Sequence, residues 1–551
     1  MDRIITNVLI IGGGGAACRA AIAACDAGAD VLIVSKKPLG KGGATTFPVA
    51  EMAGYNAGDP SIPGDIEKHY QDMIDAGQGV ADKKLVSVLA EEAPGTIEVL
   101  EKWGVEFEKE GSGYYIFKSC FSSSPRTHVI RGHGEPIVNA MKRQIARRAS
   151  IRIMEGITVI ELIVSGGQCF GAWGINQEGS LCLMTAGAVV LATGGASQAF
   201  LKNMNPNDVG GDGYLLAYQA GAELMNMEFM QAGIGFSYPV FNIFNGYIWA
   251  AHPKLTNGNG ETFLSKYLPG FLSETQVMDA HRKHFPFSSD DESRYLEAGI
   301  QKELLAGGCG AHGGVCVDLR HLEDSYVSSI PDDCGLHHMW PVAREYMKGK
   351  GVDLLSERAE LEVFAQSTNG GVRIDEKCAS TIPGLYAVGE VAGGPHGANR
   401  LGGNMMVTCQ VFGRRAGRHA AEWARCQGIP GVVFDQRPQL WELLHKTVDS
   451  AEKIRGLQEI NQKYLLVCRS EEGLRRVLAH VTQELQNLWN APVCDELNLD
   501  VYKLYSLLVS AEMMASAALE RRESRGAHYR EDYTERDEAL SAPIIQKKSR
   551  G

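Results

Sequence analysis

The chain lacks several features that would define whole classes of protein. It contains no run of about eighteen apolar residues, the length that a membrane-spanning helix needs, so we predict no membrane span. Its thirteen cysteines are scattered and form no Cys-x-x-Cys pair. We therefore expect free, reduced thiols, and no metal site, zinc knuckle or iron–sulfur cluster within this chain.

Positive charge is also in short supply. Lysine and arginine number 54 against 66 aspartate and glutamate residues, which gives a formal net charge of −12. An acidic balance disfavours binding to nucleic acid or to an anionic membrane surface, because both attract basic proteins. Residues 1–7 lack the layout of a signal peptide, so we expect a cytoplasmic location.

Glycine, by contrast, is abundant, with 64 residues. Its first cluster follows a short apolar run and precedes a stretch of helix-forming residues, which predicts a strand, a turn, a helix and a second strand. Gly12, Gly14 and Ala17 fit the G-x-G-x-x-A spacing, in which glycine lets the backbone approach a pyrophosphate at a helix N-terminus. The acidic residue that commonly ends the second strand is absent. Ser35 follows Val34 there, and its hydroxyl is the candidate ribose ligand.

Two later segments also end apolar strands in glycine turns. Residues 189–196 run into a Gly-Gly turn, and residues 382–390 lead through a second apolar strand to Glu390. In this order the three segments are typical of FAD-binding proteins whose chain leaves the cofactor-binding sheet and later returns to it. Between them, residues 227–349 lose regular periodicity, which indicates an inserted domain, and residues 439–519 have helical periodicity.

Further motifs make a family resemblance specific. They are Thr193-Gly194-Gly195, Asn207, Gly210-Gly211-Asp212-Gly213, Gly221-Ala222-Glu223, Met227-Glu228-Phe229, His396-Gly397-Ala398-Asn399-Arg400-Leu401-Gly402-Gly403-Asn404 and Ser524-Arg525-Gly526-Ala527-His528-Tyr529. Through them nearly the whole chain resembles the flavoprotein subunits of fumarate reductase and succinate dehydrogenase, a family that includes L-aspartate oxidase. The resemblance implies an α/β fold: a Rossmann-like FAD-binding domain, an α+β capping domain that interrupts it, and a C-terminal helical domain. We expect the FAD-binding domain at 1–226 and 351–430, the cap at 227–350 and the helical domain at 431–551.

The resemblance also implies a set of residues that line FAD. Glu390 would bond the ribityl chain, while Asn404 and Met405 would open a helix whose positive end faces the flavin's pyrimidine edge. Arg400 matches the family arginine that acts as proton donor and acceptor. Because the pKa of a free guanidinium is too high for this, its position and the surrounding charges must favour proton transfer. Ala44 stands where relatives attach FAD through a histidine, so we expect noncovalent FAD. The implied set is Gly12, Gly14, Ala17, Ser35, Lys36, Gly42, Gly43, Ala192, Thr193, Gly194, Asp212, Glu390, Arg400, Asn404 and Met405.

The predicted substrate side departs from the family. Residues 229–235 lack the histidine that binds a substrate carboxylate in relatives, and Gln366 replaces a second histidine. The family's capping-domain arginine should fall near 289–291, where acids occur instead. Because a two-carboxylate substrate needs positive charge at both ends, these losses disfavour fumarate and succinate. Arg400, Gln366 and His252, the last in the aromatic-rich capping segment, are the candidate catalytic residues.

The leading interpretation is an FAD-dependent oxidoreductase that transfers a hydride between flavin N5 and a small organic substrate, forming or reducing a C=C or C=N bond. The electrons would pass to an iron–sulfur subunit, which could hold the chain at a membrane complex, to a soluble carrier, or directly to oxygen. Two alternatives stay open. An electron-relay subunit without its own substrate is favoured by the lost carboxylate ligands and opposed by Arg400. A sulfur-compound reductase of the adenylylsulfate reductase type is weaker, because the motif at 396–404 is more similar to fumarate reductases.

Overall fold

A computed structural model describes residues 2–331, 334–429 and 437–548. The strands in this part are β1 (Asp2–Ile11), β2 (Val31–Ser35), β3 (Ala53–Asn56), β4 (Lys109–Glu110), β5 (Gly113–Tyr114), β6 (Ile116–Phe117), β7 (Thr127–Ile130), β8 (Ile151–Glu155), β9 (Thr158–Ser165), β10 (Gln168–Ile175), β11 (Leu181–Leu191), β12 (Leu224–Met225), β13 (Met230–Tyr238), β14 (Asn242–Ile243), β15 (Lys254–Thr256), β16 (Val315–Asp318), β17 (Ala359–Thr368), β18 (Gly371–Arg373), β19 (Leu385–Ala387), β20 (Ala392–Gly393) and β21 (Ile545–Gln546). The α-helices are α1 (Gly15–Asp26), α2 (Asp65–Gly77), α3 (Lys83–Lys102), α4 (Glu135–Ala146), α5 (Asp212–Gln219), α6 (Glu274–His281), α7 (Arg294–Leu305), α8 (Asp324–Val327), α9 (Leu336–Gly349), α10 (Asn404–Gln427), α11 (Ser450–Tyr464), α12 (Glu471–Asn490) and α13 (Leu499–Glu520). The predicted domain boundary between 430 and 431 lies outside the described residues.

The central sheet is the one that the glycine motifs predicted. Its strand order is β8-β2-β1-β11-β10-β9, and β19 pairs with the C-terminal end of β11. The pairs β8–β2, β2–β1, β1–β11 and β11–β19 are parallel, whereas β10 pairs antiparallel with both of its neighbours. Residues from Val8 to Ile11 are buried, as expected of a parallel strand covered on both faces. The carboxyl ends of β1, β11 and β19 meet at one edge, which is where ligands bind in such sheets.

Two helices, α1 and α10, pack closely over this sheet because glycines remove the side chains between them. A Cβ atom at Gly417 would lie 2.1 Å from the carbonyl oxygen of Ala20, and one at Gly413 would lie 2.9 Å from the Cβ of Arg19. Side chains at these positions would push the helices apart. Both helices begin at the ligand-binding edge of the sheet, so their positive N-terminal ends point to the same region.

The inserted segment forms a second, antiparallel sheet of order β14-β13-β17-β16-β15. The 3₁₀ helix Gly246–Ala251 and helices α6, α7 and α9 accompany it, with Trp249 and Trp340 fully buried. Strand β17 pairs with β13 over most of its length although it follows residue 350. The sheet of the cap thus includes a strand from beyond the predicted cap, and the domain ranges stay predictions.

The C-terminal part is helical, as predicted, and it is bound to the rest of the chain by buried charge. Helix α13 is buried on nearly all sides and packs on α12 and α5. Arg521 donates to Glu228 at 2.6 Å and to Glu523 at 2.9 Å, and these three side chains are buried. Arg525 donates to Glu523 and to the carbonyl of Gln78. These bonds connect the motif at 524–529 to the FAD-binding domain.

The described residues contain no helix that is long and apolar enough to cross a membrane. Nor do they bring together three or more His, Cys, Asp or Glu side chains in a way that could hold a metal ion. The cytoplasmic location stays a prediction.

Candidate active site

A cavity of about 860 Å³ lies at the carboxyl ends of the central strands and extends beneath the cap. Its FAD-domain wall combines segments that are distant in sequence: residues 11–16, 34–38, 42–45, 47–54, 192–194 and 388–390. Residues 282–286 of the cap and the start of α10 complete the enclosure. The three strand-end motifs that the sequence singled out therefore converge on one site.

The turn after β1 depends on glycine at two places. Gly12 has a φ of 130°, and a Cβ atom there would lie 2.1 Å from the carbonyl oxygen of Ala192, so any side chain would separate β1 from β11. At Gly14 a Cβ atom would meet only the hydroxyl of Thr45, at 3.8 Å, and would otherwise enter the cavity. The turn thus leaves the N-terminus of α1 open to a ligand, and an anion is the ligand that such an end favours.

The loop after β2 contributes an ion pair. Lys36 pairs with Asp212, the first residue of α5, and both line the cavity. The hydroxyl of Ser35 donates to the carbonyl of Lys37 at 2.7 Å, which leaves its oxygen lone pairs available as acceptors.

One end of the cavity contains a buried acid and a buried arginine. Glu390 accepts a hydrogen bond from the backbone N–H of Thr368 at 3.0 Å, and burial raises the pKa of its carboxyl to about 7. Burial lowers the pKa of the Arg400 guanidinium, and the charge of Glu390 opposes that shift. Gly195 makes room for the acid, because a Cβ atom there would lie 2.1 Å from Glu390 Oε1. Each ionised group stabilises the charged form of the other.

Helix α10 begins at this end. Gly403 precedes it with a φ of 81°, and Met405 and Met406 in the first turn line the cavity. Asn404 is buried, with its Oδ1 3.2 Å from Nε2 of His69. The free N–H groups of the first helical turn thus lie at the cavity, where they favour negative charge.

Comparison with known proteins identifies this arrangement. A family model described as FAD binding domain matches residues 7–243 and 350–406, and one described as fumarate reductase flavoprotein C-term matches residues 454–543. A protein of Methanocaldococcus jannaschii described as an uncharacterized FAD-dependent oxidoreductase is 32% identical, over 98% of this chain and 96% of that protein. The chain belongs to the fumarate reductase and succinate dehydrogenase flavoprotein family.

Two further relatives agree with this assignment. One subunit of the fumarate reductase (CoM/CoB) of Methanothermobacter marburgensis is 31% identical, over 96% of this chain and 94% of that protein. The solved structure of Mycobacterium smegmatis Sdh1 has a TM-score of 0.80 at 26% identity and covers 99% of this chain and 94% of its own. The flavoprotein is therefore an FAD-dependent oxidoreductase with FAD as its cofactor, and the predicted family, fold class and cofactor are confirmed.

Buried polar atoms at the cavity fit FAD. In the part of the chain that the structure describes, four such atoms have no hydrogen-bond partner within the protein: Thr193 Oγ1, Asp212 Oδ1, Gln366 Oε1 and Arg400 Nε. All four residues line the cavity. Because an unpaired buried polar group costs about 1–3 kcal/mol, donors and acceptors of a bound ligand are the natural partners. FAD offers hydroxyl, phosphate and carbonyl groups along its length.

Most of the predicted cofactor residues lie at the cavity. Those that line it are Gly12, Gly14, Ser35, Lys36, Gly42, Gly43, Ala192, Thr193, Gly194, Asp212, Glu390, Arg400 and Met405. Ala17 lies fully buried within α1, and Asn404 lies behind the cavity wall beside His69. These two side chains pack beneath the site and do not line the cavity. The assignment of each residue to a part of FAD stays a prediction.

The predicted catalytic residues divide between two places. Arg400 and Gln366 line the cavity. His252 lies instead in a surface depression with Lys254 and Arg320, where its Nε2 is 3.0 Å from Oδ1 of Asp279. The structure therefore does not bring His252 to the cavity. His252 ends the 3₁₀ helix in a left-handed conformation, with a φ of 49°, and it is exposed.

Glutamine replaces histidine beside Arg400. Gln231, in the stretch that lacks the family histidine, is fully buried and donates to the carbonyl of Arg400 at 3.3 Å. Ser367 donates in turn to Oε1 of Gln231 at 3.2 Å. These neutral groups hold the backbone that carries Arg400, and they add no positive charge to the site.

The acids at 289–291 have an evident structural role. Asp290 accepts hydrogen bonds from Asn399 at 3.1 Å, from Gln78, and from the backbone N–H of Gly526 at 3.3 Å. One carboxylate of the cap thus contacts the FAD-binding domain and the C-terminal part together. The resemblance placed a substrate-binding arginine near this position. In this chain the position holds an aspartate, which joins the cap to the two other parts of the protein.

Sequence reasoning missed the basic run just before this segment. Arg282, Lys283 and His284 all line the cavity, and three successive basic residues in an acidic chain were the available signal. His284 is buried, with Nδ1 2.7 Å from the carbonyl oxygen of Pro286 and Nε2 3.3 Å from Asp291. Burial is the largest single influence on the pKa of His284 and lowers it, but the hydrogen bond to Asp291, the charge of Asp291 and the bond to Pro286 together raise the pKa overall.

A buried carboxylate in the FAD-domain wall was also missed. Glu51 accepts hydrogen bonds from Asn245, at 2.7 Å, and from the hydroxyl of Tyr247, both of which belong to the cap. Burial and the charge of Glu51 raise the pKa of Tyr247. These bonds join residues about 190 positions apart, and no local pattern marks them.

Proposed function

We propose that this flavoprotein moves a hydride between a small organic substrate and its cofactor, and a proton between that substrate and Arg400, creating or saturating a C–C or C–N double bond. The substrate carries one carboxylate, or a carbonyl in its place, and is not fumarate or succinate. The observation that supports this most is Arg400, the one buried arginine that the described residues place at the cavity. Neutral Gln366 also lines the cavity, and neutral Gln231 bonds the carbonyl of Arg400.

Charge decides between one-carboxylate and two-carboxylate substrates. Two buried carboxylates 4 Å or more apart each require a cation or several donors, because desolvating an unpaired carboxylate is costly. Arg400 can serve one of them. Arg282 lies 3.8 Å from Asp279, Lys283 is exposed, and the charge of His284 is paired with Asp291 at 3.3 Å, so none of these three offers an unpaired, desolvated charge to a second carboxylate.

Proton transfer falls to Arg400 in this proposal. Bound FAD would supply the two-electron chemistry, by taking a hydride from the substrate or giving one to it. Burial makes the guanidinium of Arg400 a better proton donor than a free arginine, because it lowers its pKa. Glu390, with its pKa near 7, can change charge near neutral pH and so adjust the field at Arg400.

The electrons must leave or enter through a partner. We propose an iron–sulfur subunit, or a soluble carrier, because the described residues bring together no metal-binding cluster and a relative at 31% identity is named as a subunit of a fumarate reductase. Direct reaction with oxygen is the alternative that air reoxidation of the reduced protein would reveal.

The test is anaerobic stopped-flow absorbance of the flavin. Oxidised protein is mixed with succinate, aspartate and saturated mono-carboxylates or amides, and dithionite-reduced protein with fumarate and the matching unsaturated acids. We expect a mono-carboxylate or amide to change the flavin band, and Arg400→Ala to abolish the change while FAD stays bound. A faster response to succinate or fumarate would contradict the substrate assignment. No response to any compound would favour a flavin that only relays electrons.

A further inference from the structure

We propose that the substrate's other end is a bulky apolar group, a phenyl ring or an alkyl chain, which packs on an apolar wall of the cavity. This inference rests on the proposed function and names the substrate class of the same site.

The wall is a compact cluster separate from the main core. Its buried members are Met204, Ile243, Phe285 and Phe364, and Val49, Ala50, Cys120 and Phe241 pack against them. Six of these residues line the cavity: Val49, Ala50, Cys120, Met204, Ile243 and Phe285. They come from the predicted FAD-binding domain and from the cap, so the wall exists only when the cap is in place.

The ring of Phe285 packs in the space that Gly233 leaves open. A Cβ atom at Gly233 would lie 2.5 Å from the ring of Phe285, so the ring packs directly on the bare backbone of β13. The backbone N–H of Phe285 also contacts Sγ of Cys120 at 3.1 Å. The stretch that lacks a carboxylate-binding histidine is thus the stretch that makes room for an aromatic ring.

The apolar wall adjoins the segment that carries the cation. Cys120 contacts Phe285, and its carbonyl accepts a hydrogen bond at 3.2 Å from the backbone N–H of Gly402, two residues after Arg400. The Nε of Arg400 is buried and unpartnered among the described residues. One end of a ligand would therefore meet a positively charged group with an unpaired donor, and the other would meet aliphatic and aromatic carbon. A second carboxylate against this wall would lose its hydration and gain no donor.

The experiment measures binding to oxidised holoenzyme, by calorimetry and by the flavin difference spectrum. The ligands are trans-cinnamate, trans-2-hexenoate, crotonate and fumarate, which are already unsaturated. We expect affinity to rise about fourfold per added methylene from crotonate to hexenoate, and fumarate to bind more weakly than crotonate. Fumarate binding as tightly as hexenoate, or affinity independent of chain length, would overturn the apolar subsite and leave the oxidoreductase proposal standing. If none of the acids bound to FAD-loaded protein, both proposals would fall.

A matched pair of variants locates the subsite. Phe285→Leu should weaken cinnamate binding at least about fivefold and change crotonate binding less than about twofold. Phe263→Leu is the control, because Phe263 is equally buried in the cap and lies away from the cavity. Ile243→Thr gives the same test without altering an aromatic ring. Equal loss for cinnamate and crotonate in both cavity variants would contradict the assignment.

Discussion

Replacing Glu390 by glutamine tests the electrostatics of the site most directly. The carboxyl is 8% exposed and its pKa is raised to about 7 from an ordinary value of 4.5, chiefly by burial. The folded protein therefore binds this proton more tightly than the unfolded chain does. Stability from the group is fully present below pH 4.5 and is lost as the pH rises through 7.

The magnitude follows from the size of the shift. A rise in pKa from 4.5 to about 7 corresponds to roughly 3 kcal/mol, most of which is lost between pH 5 and pH 8. Glu390→Gln keeps an oxygen to accept the bond from the Thr368 N–H and has no proton to lose. The flavin-free variant should therefore gain stability relative to wild type as the pH rises.

Two measurements check this prediction. Infrared titration should show a protonated carboxyl band that disappears near pH 7 in wild type and is missing in Glu390→Gln. Urea denaturation at pH 5 and pH 8 should show the wild type losing more stability than the variant over that interval. Glu108→Gln is the control, because Glu108 is a surface carboxylate paired with Arg131. A band that titrates near pH 4.5, or parallel pH profiles, would refute the assigned burial.

Three further outcomes follow from the same structure. Gly12→Ala should purify with little or no flavin, because its Cβ would collide with the neighbouring strand, while Gly95→Ala in α3, which meets nothing within 4 Å, should keep a normal ratio of flavin to protein absorbance. Acid precipitation should release the flavin into the supernatant, because Ala44 cannot form a covalent link; flavin that stayed in the pellet would contradict noncovalent binding. Arg521→Met should cost about 3–5 kcal/mol, because it leaves Glu228 buried without its cation, and adding Glu228→Gln should restore part of the thermal midpoint.

The cofactor frame could be predicted from the sequence because its determinants are local and steric. A positive φ at Gly12 and the close approach of Ala192 require particular residues at particular spacings, and such spacings can be recognised in the sequence. The strands that carry them are short apolar runs bounded by glycine, which is the pattern that sequence reading recognises best.

The substrate side could not be predicted in the same way, because its contacts join distant residues. Glu51 meets Tyr247 across the cap, and Asp290 meets both Gln78 and Gly526. None of these contacts produces a periodic pattern in the amino-acid sequence. His252 lies outside the cavity, in the left-handed conformation at the end of a 3₁₀ helix, and no periodic pattern in the sequence marks that position.

The difference between the two sides has a physical basis. The FAD site depends on backbone N–H groups and on glycines that leave room for the neighbouring backbone, and few residue types meet these requirements. A substrate-binding surface can be formed by any side chains of suitable shape and charge. Asp290 illustrates the second case. A carboxylate where the resemblance implies an arginine would repel an acidic substrate if it faced the cavity, yet its bonds to Asn399 and Gly526 use that charge to close the cap. Closure of the cap is thus assigned to a carboxylate that is fully engaged in hydrogen bonds, and under the proposed function Arg400 is the charge that would orient the substrate.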